Sequence, residues 1–224
     1  MASFKLNFAM IENCPEPREI ASAMEEFGLP DTEEFGVLNC MASDAALYAT
    51  LVRKTNQAIK KLDPETQDVA TTAVERVNVL PIGIFPQRQT LEIYEGSATS
   101  IEQVTAFLTS CLALPVVVNP IEKELLTCVE KLRDLPRFQL KSIRISEHAH
   151  NSYMLGPYTP KFLDTENGLE FLEQNADFAT SASVKFQGQA GRVTVNIKPK
   201  MCFTYSISNE DDKPFVQNLL RKLL

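Results

Sequence analysis

Glycine is scarce in this chain, with 8 among 224 residues, and none falls into G-x-G-x-x-G, G-x-x-x-x-G-K-[ST] or G-x-S-x-G. Those patterns let a backbone approach phosphate closely or hold a nucleophile on a strained turn. Their absence excludes nucleotide hydrolysis and serine-hydrolase chemistry by the usual routes. Histidine is scarcer still, at 2 residues. The five cysteines, Cys14, Cys40, Cys111, Cys128 and Cys202, are odd in number, widely spaced and form no C-x-x-C pair. This excludes the common zinc and thioredoxin-like arrangements and fits small buried hydrophobes in a reducing compartment. No stretch holds the roughly 18 apolar residues that a membrane-crossing helix needs. The opening "MASFKLNFAM" has one lysine and no cleavage-like site. Together these absences predict a soluble, cytoplasmic protein with no membrane contact and no cofactor. Tryptophan is also absent, and nothing follows from that.

What is present is ordinary for a globular protein: 44% apolar and 23% charged residues. The length fits one large domain or two small ones sharing a sheet. Charge is uneven. Residues 1–112 hold 8 Lys+Arg and 16 Asp+Glu, whereas residues 113–224 hold 14 and 13. We therefore expect an acidic α+β half over 1–113 and a C-terminal half over 114–224 built on an antiparallel meander. The two could form one continuous domain.

Hydrophobic periodicity supplies the elements. "SFKLNFAMI" alternates as a strand, and "PEPREIASAMEEFGLP" spaces Ile20, Met24 and Phe27 as a helix that stops at Gly28 and Pro30. "FGVLNCM" and "AALYATLVR" suit a hairpin around Ser43 and Asp44, although alanine leaves the second piece ambiguous with a helix. The polar stretch from Thr55 to Ala73 reads as a short helix and a loop over "KKLDPETQD". "AVERVNVLPIGIFP" and "QTLEIYEG" read as strands, the first bent or at an edge because of Pro81. "SATSIEQVTAFLTSCLAL" is a helix with Ser100 and Gln103 as a capping box. "VVVNPIEKELLTCVEKL" is a strand followed by a strand or a helix. "RFQLKSIRIS" is a strand with one slip in its alternation, and "SEHAHNSYMLGPYTP" a loop. "DTENGLEFLEQNA" is a helix with Thr165 as its cap, and "DDKPFVQNLLRKLL" closes the chain as a helix led by Asp211 or Asp212. The predicted class is α+β: antiparallel sheets with flanking helices, in two strand-helix-strand halves.

Two clusters resemble catalytic or metal sites and do not suffice. His148 and His150 in "EHAHN" stand two apart, and Glu147 or Asp164 could join them in a two-imidazole, one-carboxylate metal set. Nothing fixes a third ligand, and loop polars, or a pair packed on Tyr153 and Tyr158, is the simpler reading. A metal-dependent nuclease needs an acid-x-lysine pattern, whereas "IEKEL" and "VEKLR" set glutamate directly beside lysine. With no nucleophile to nominate, the chain reads as non-enzymatic.

The informative stretch is "ASVKFQGQAGRVTVNIKPKMCFTYSI", residues 182–207. Successive strand side chains point to opposite faces, so Val184, Phe186, Val193, Val195, Ile197, Phe203, Tyr205 and Ile207 share one buried face. The other face then carries Lys185, Arg192, Lys198 and Lys200, and no acid occurs in the stretch. Lys141, Arg144 and Lys161 lie in the same half of the chain. A solvated sheet face commonly carries such residues. Cations without interleaved acids also suit phosphate, bound mainly through counterion release.

At "SIEQVTAFLTSCLALPVVVNPIE" and "KFLDTENGLEFLEQNADFATSASVKF" the chain resembles the recombination-associated RdgC family of bacterial DNA-binding proteins. The likeness spans about residues 85–205. It implies a homodimer closed into a ring around duplex DNA, without base readout, that limits access of the strand-exchange recombinase and associates with the nucleoid. The chain is shorter than the family's, and its first 80 residues match poorly. An open dimer, or a protein-interaction subunit of an intracellular assembly whose acidic half docks a basic partner, are the alternatives.

Overall fold

The computed structural model describes residues 1–29, 35–62, 64, 69–97, 99–151 and 154–224, and at 61, 70, 148–151, 154 and 155 the backbone alone. In chain order the first elements are β1 (Ala2–Glu12), α1 (Pro17–Glu25), β2 (Phe35–Ala42), β3 (Leu47–Leu62), β4 (Val69–Phe85), β5 (Thr90–Tyr94) and α2 (Thr99–Leu112). They are followed by β6 (Val117–Pro120), α3 (Leu125–Leu132), β7 (Gln139–Asn151), β8 (Met154–Tyr158) and α4 (Thr165–Gln174). The last are β9 (Ala179–Gln187), β10 (Arg192–Lys198), β11 (Cys202–Ile207) and α5 (Lys213–Arg221). The registered strand pairs are all antiparallel, so the architecture is α+β. Among the described residues, no helix is long and apolar enough to cross a membrane.

Two compact units form. The first comprises Met1–Ala9, Glu95–Ala98 and Asn119–Leu224, so the opening strand belongs with the C-terminal part of the chain. Its strands run in the order β1-β11-β10-β9-β7-β8. Alternation does here what the sequence led us to expect: Val184, Val193, Val195 and Ile197 are fully buried, and Phe186, Phe203, Tyr205 and Ile207 nearly so. Helices α3 and α4 lie against β7, β9 and β10. From α5, Gln217 Nε2 donates to the Tyr205 hydroxyl at 3.4 Å. That apolar face, closed by Leu132, Leu172, Val216 and Leu220, is the core of the unit.

The second unit is Met10–Tyr94 with Thr99–Val118, and its sheet runs β2-β3-β4-β5. Leu47, Leu51, Ile82, Ile84, Leu91 and Ile93 are buried with Ile20 and Met24 of α1 and Val104 and Leu108 of α2. Phe107 meets Phe27 and Phe35 edge-on at centroid distances of 5.6 and 6.2 Å.

Several expectations are corrected. The stretch from Thr55 to Ala73 contains no helix among its described residues: β3 runs on to Leu62 and β4 begins at Val69. Periodicity missed these strands because both faces there are exposed, so no apolar alternation is required. The segment after Ser146 is likewise strand, since β7 extends to Asn151 and β8 follows. Helix α2 begins at Thr99, which places Ser100 inside the first turn and not at the cap. The cap of α4 is Asp164, whose Oδ2 accepts from Asn167 N at 3.2 Å, and not Thr165. Pro81 stands within β4, opposite Thr50, where β5 has not yet begun to pair. The two undecided pieces resolve as strand for residues 47–62 and helix for 125–132.

Candidate nucleic-acid interface

The strands of the first unit's sheet supply six cations and, within the unit, one carboxylate, Glu147 near the end of β7. Residues 2–9, 139–146, 179–187, 192–198 and 202–207 contain Lys5, Lys141, Arg144, Lys185, Arg192 and Lys198, and not one Asp or Glu. Register decides which of these share a face. In an antiparallel pair, residues directly opposite each other project to the same side. Lys161 bridges Ser142, which opposes Ser183, then Asn196, Thr204 and Lys5 in turn. The neighbouring row joins Gln139, Lys185, Thr194, Ser206 and Ser3. Arg192 opposes Gln187, Arg144 opposes Ser181, and Lys198 opposes Cys202 and through it Asn7.

One face therefore carries Lys5, Arg144, Lys161, Lys185, Arg192 and Lys198 on a ground of serine, threonine and asparagine. The opposite face is the apolar core. Lys185 is half-buried, and the other five are exposed. None forms an ion pair with a described residue. Lys200 lies in the turn between β10 and β11, exposed beside the same edge. Lys141 is different: register shifts between Leu140 and Ser142, leaving Lys141 as the extra residue of a β-bulge. Its carbonyl accepts from Phe162 N at 2.9 Å. This bulge is the physical form of the slip seen in the alternation of the sequence. Six of the seven residues expected to contact DNA are thus on or beside one face, and the seventh is the bulge residue.

Two of the unit's concavities include cations of this face in their lining. A small polar cleft of about 120 Å³ is lined by Arg137, Gln139, Lys185, Phe186, Gln187 and Arg192. It gathers three cations and two amides in a space suited to a phosphate group, with Gln187 oriented by its Nε2 donating to Gly191 O at 3.1 Å. A larger cavity of about 540 Å³ includes Lys5, Asn7, Lys198, Lys200, Cys202 and Thr204 in its lining. There Asn7, only 4% exposed, donates from Nδ2 to Gly96 O at 3.1 Å. Burial pushes the Cys202 thiol up, while the charges of Lys198 and Lys200 pull it the other way. Carboxylates occur at the border: Glu122 lines the larger cavity, and Glu95 Oε1 accepts from Lys5 N at 3.3 Å.

Lys5 and Arg137 were not among the residues the sequence singled out. Lys5 has the right parity in its strand, between Phe4 and Leu6, but nothing in the sequence tells that strand to pair with β11. Arg137 precedes β7 in a left-handed conformation, with φ of 56°, which directs it by a turn and not by periodicity.

Among the described residues, no group of three His, Cys, Asp or Glu could hold an ion. His148 and His150 lie on the backbone of β7, and their side chains and Tyr153 are outside the described residues. The thiols of Cys14 and Cys111 are pushed up to about 11, chiefly by burial, which suits packing and not nucleophilic chemistry. No protein-family model and no curated protein matches this sequence.

Proposed function

We propose that this chain is a non-enzymatic, sequence-independent duplex-DNA-binding protein that works as a homodimer, as the RdgC resemblance implies. The observation that carries the reading is the register itself, which puts Arg144, Lys161, Lys185, Arg192 and Lys198 on one face of a sheet whose strands bring a single carboxylate within the unit, Glu147 near the end of β7. Neighbouring strands stand about 4.8 Å apart, so the row from Lys161 to Lys5 spans roughly 24 Å. Duplex DNA offers a negative charge about every 1.7 Å of axis. Serine, threonine and asparagine between the cations can donate to phosphate oxygens, and such contacts position a duplex without reading its bases.

The test is fluorescence anisotropy on duplexes of unrelated sequence across a salt series. Affinity should fall steeply with salt and vary little with sequence. Lys185→Glu with Lys198→Glu should weaken binding at least tenfold on every duplex, about 1.4 kcal/mol. Each lost phosphate contact should also lower the salt slope by about one unit. Absence of binding at low salt, with recovery of a stoichiometric protein partner that resists nuclease, would instead favour the protein-interaction reading.

A further inference from the structure

The second unit contains a two-stranded ribbon with unusual surface chemistry. Residues 54–62 of β3 pair in unbroken register with residues 69–77 of β4, and within that span each strand pairs only with the other among the described residues. From Asn56 outward, every residue whose side chain is described is exposed. An isolated pair of strands is only marginally stable in water. This one nevertheless exposes Leu62 by 66%, Val69 by 60% and Val77 by 52%. Register places all three on one face, because Leu62 opposes Val69 and Lys54 opposes Val77. Leu62 and Val69 make one aliphatic patch at the outer end of this face and Val77 another at its inner end, and exposed aliphatic patches suit a contact surface.

The same face is complementary to itself. Its central pair is Ala58 and Ala73, with Lys60 opposite Thr71 on one side and Asn56 opposite Glu75 on the other. A two-fold axis lying in the plane of contact over the alanine pair, perpendicular to the strands, exchanges the two ends. It sets Lys60 at the level of Glu75 of a second copy, and Leu62 and Val69 at the level of the second copy's Val77 and the aliphatic stem of its Lys54. The alanines at the axis allow close approach. Among the described residues, the ion pair Glu75 forms is a long one, to Lys54 at 3.9 Å.

We propose that this ribbon face is a homodimer contact between two copies of the chain, related by that two-fold axis. It names a surface for the homodimer of the proposed function and holds or fails independently of DNA binding. An isologous contact demands this self-complementarity of charge and apolar position. A polyanion fits less well, since Glu75 lies on the face and the connecting residues include Asp63, Glu65 and Asp68. The contact is narrow beside a standard interface of about 800 Å² per partner, so association should be reversible and concentration-dependent.

Sedimentation equilibrium of the full chain over a wide concentration range provides the test. A monomer–dimer equilibrium is expected. Lys60→Glu and Glu75→Lys should each weaken it at least tenfold without altering the thermal melt, and the double exchange should restore it. Val77→Lys should weaken it as well, with no rescue from the charge exchange. A chain that stays monomeric at every concentration overturns the proposal, as does a dimer indifferent to these substitutions. So does loss of DNA affinity in Lys60→Glu with the mass unchanged, which would make the ribbon a nucleic-acid contact. In parallel, the Lys185→Glu, Lys198→Glu chain should keep its dimer, so failure of the DNA reading is seen separately.

Discussion

Asp212 is fully buried, and its two oxygens are treated differently. Oδ1 accepts from Ala190 N, in the turn between β9 and β10, at 2.9 Å, whereas Oδ2 has no hydrogen-bond partner. The turn approaches so closely that a Cβ added at Gly188 would stand 2.6 Å from Oδ1. Gly188 is therefore required by the space Asp212 occupies. Asp212→Ala should cost about 1–3 kcal/mol by stranding the Ala190 donor. Asp212→Asn should cost less, because the amide oxygen can still accept from Ala190 N. Gly188→Ala should also destabilise, by about 1–3 kcal/mol of overpacking. Since both changes act on one contact, the double variant Gly188→Ala, Asp212→Ala should lose less than the sum. Urea denaturation of the four chains checks this, and strict additivity would show that the two residues do not meet. The sequence placed Asp212 at the start of a helix, and it does precede α5, but its side chain caps nothing there. A side chain's partner 22 residues away leaves no local signal.

Elements were legible where one face is buried and the other wet. From Ala182 onward the meander of β9, β10 and β11 alternates without error and its register follows from that alternation, whereas Ala179 is out of phase where the pairing with β7 shifts. The ribbon of β3 and β4 was illegible for the complementary reason: exposed on both sides, it has no pattern to show, and its polar residues imitate a loop. The cap of α4 is read one residue off and Ser100 of α2 falls inside the first turn, both within the usual uncertainty of helix ends. For α4 the difference is measurable. Asp164→Ala should destabilise by about 1 kcal/mol, through loss of the bond to Asn167 N. Thr165→Ala should cost clearly less, since its side chain makes no cap bond. The reverse order in thermal or urea unfolding would return the cap to Thr165.

At the scale of the whole molecule, the cations and the total charge disagree. The chain carries minus seven at pH 7, with a pI near 5.0, yet the sheet strands of its first unit hold six cations against one acid, Glu147. Net charge governs solubility and long-range steering, whereas a binding surface is a local field that salt screens beyond about 8 Å at physiological ionic strength. The shared face of Lys185, Arg192 and Lys198 could be read from parity, whereas Arg144 and Lys161 were legible only as cations of the same half of the chain. Their convergence with Lys5 could not be read, because it depends on the opening strand pairing with β11, a contact between opposite ends of the chain. The two fields should separate on columns at pH 7. The protein should be retained by an anion exchanger, as its total charge requires, and also by immobilised heparin, as its cationic face requires. Lys185→Glu with Lys198→Glu changes the net charge from minus seven to minus eleven. It should lengthen retention on the first column and abolish it on the second. If the parent chain passes through heparin at low salt, the face is too weak a field to hold a polyanion, and its lysines serve solvation alone.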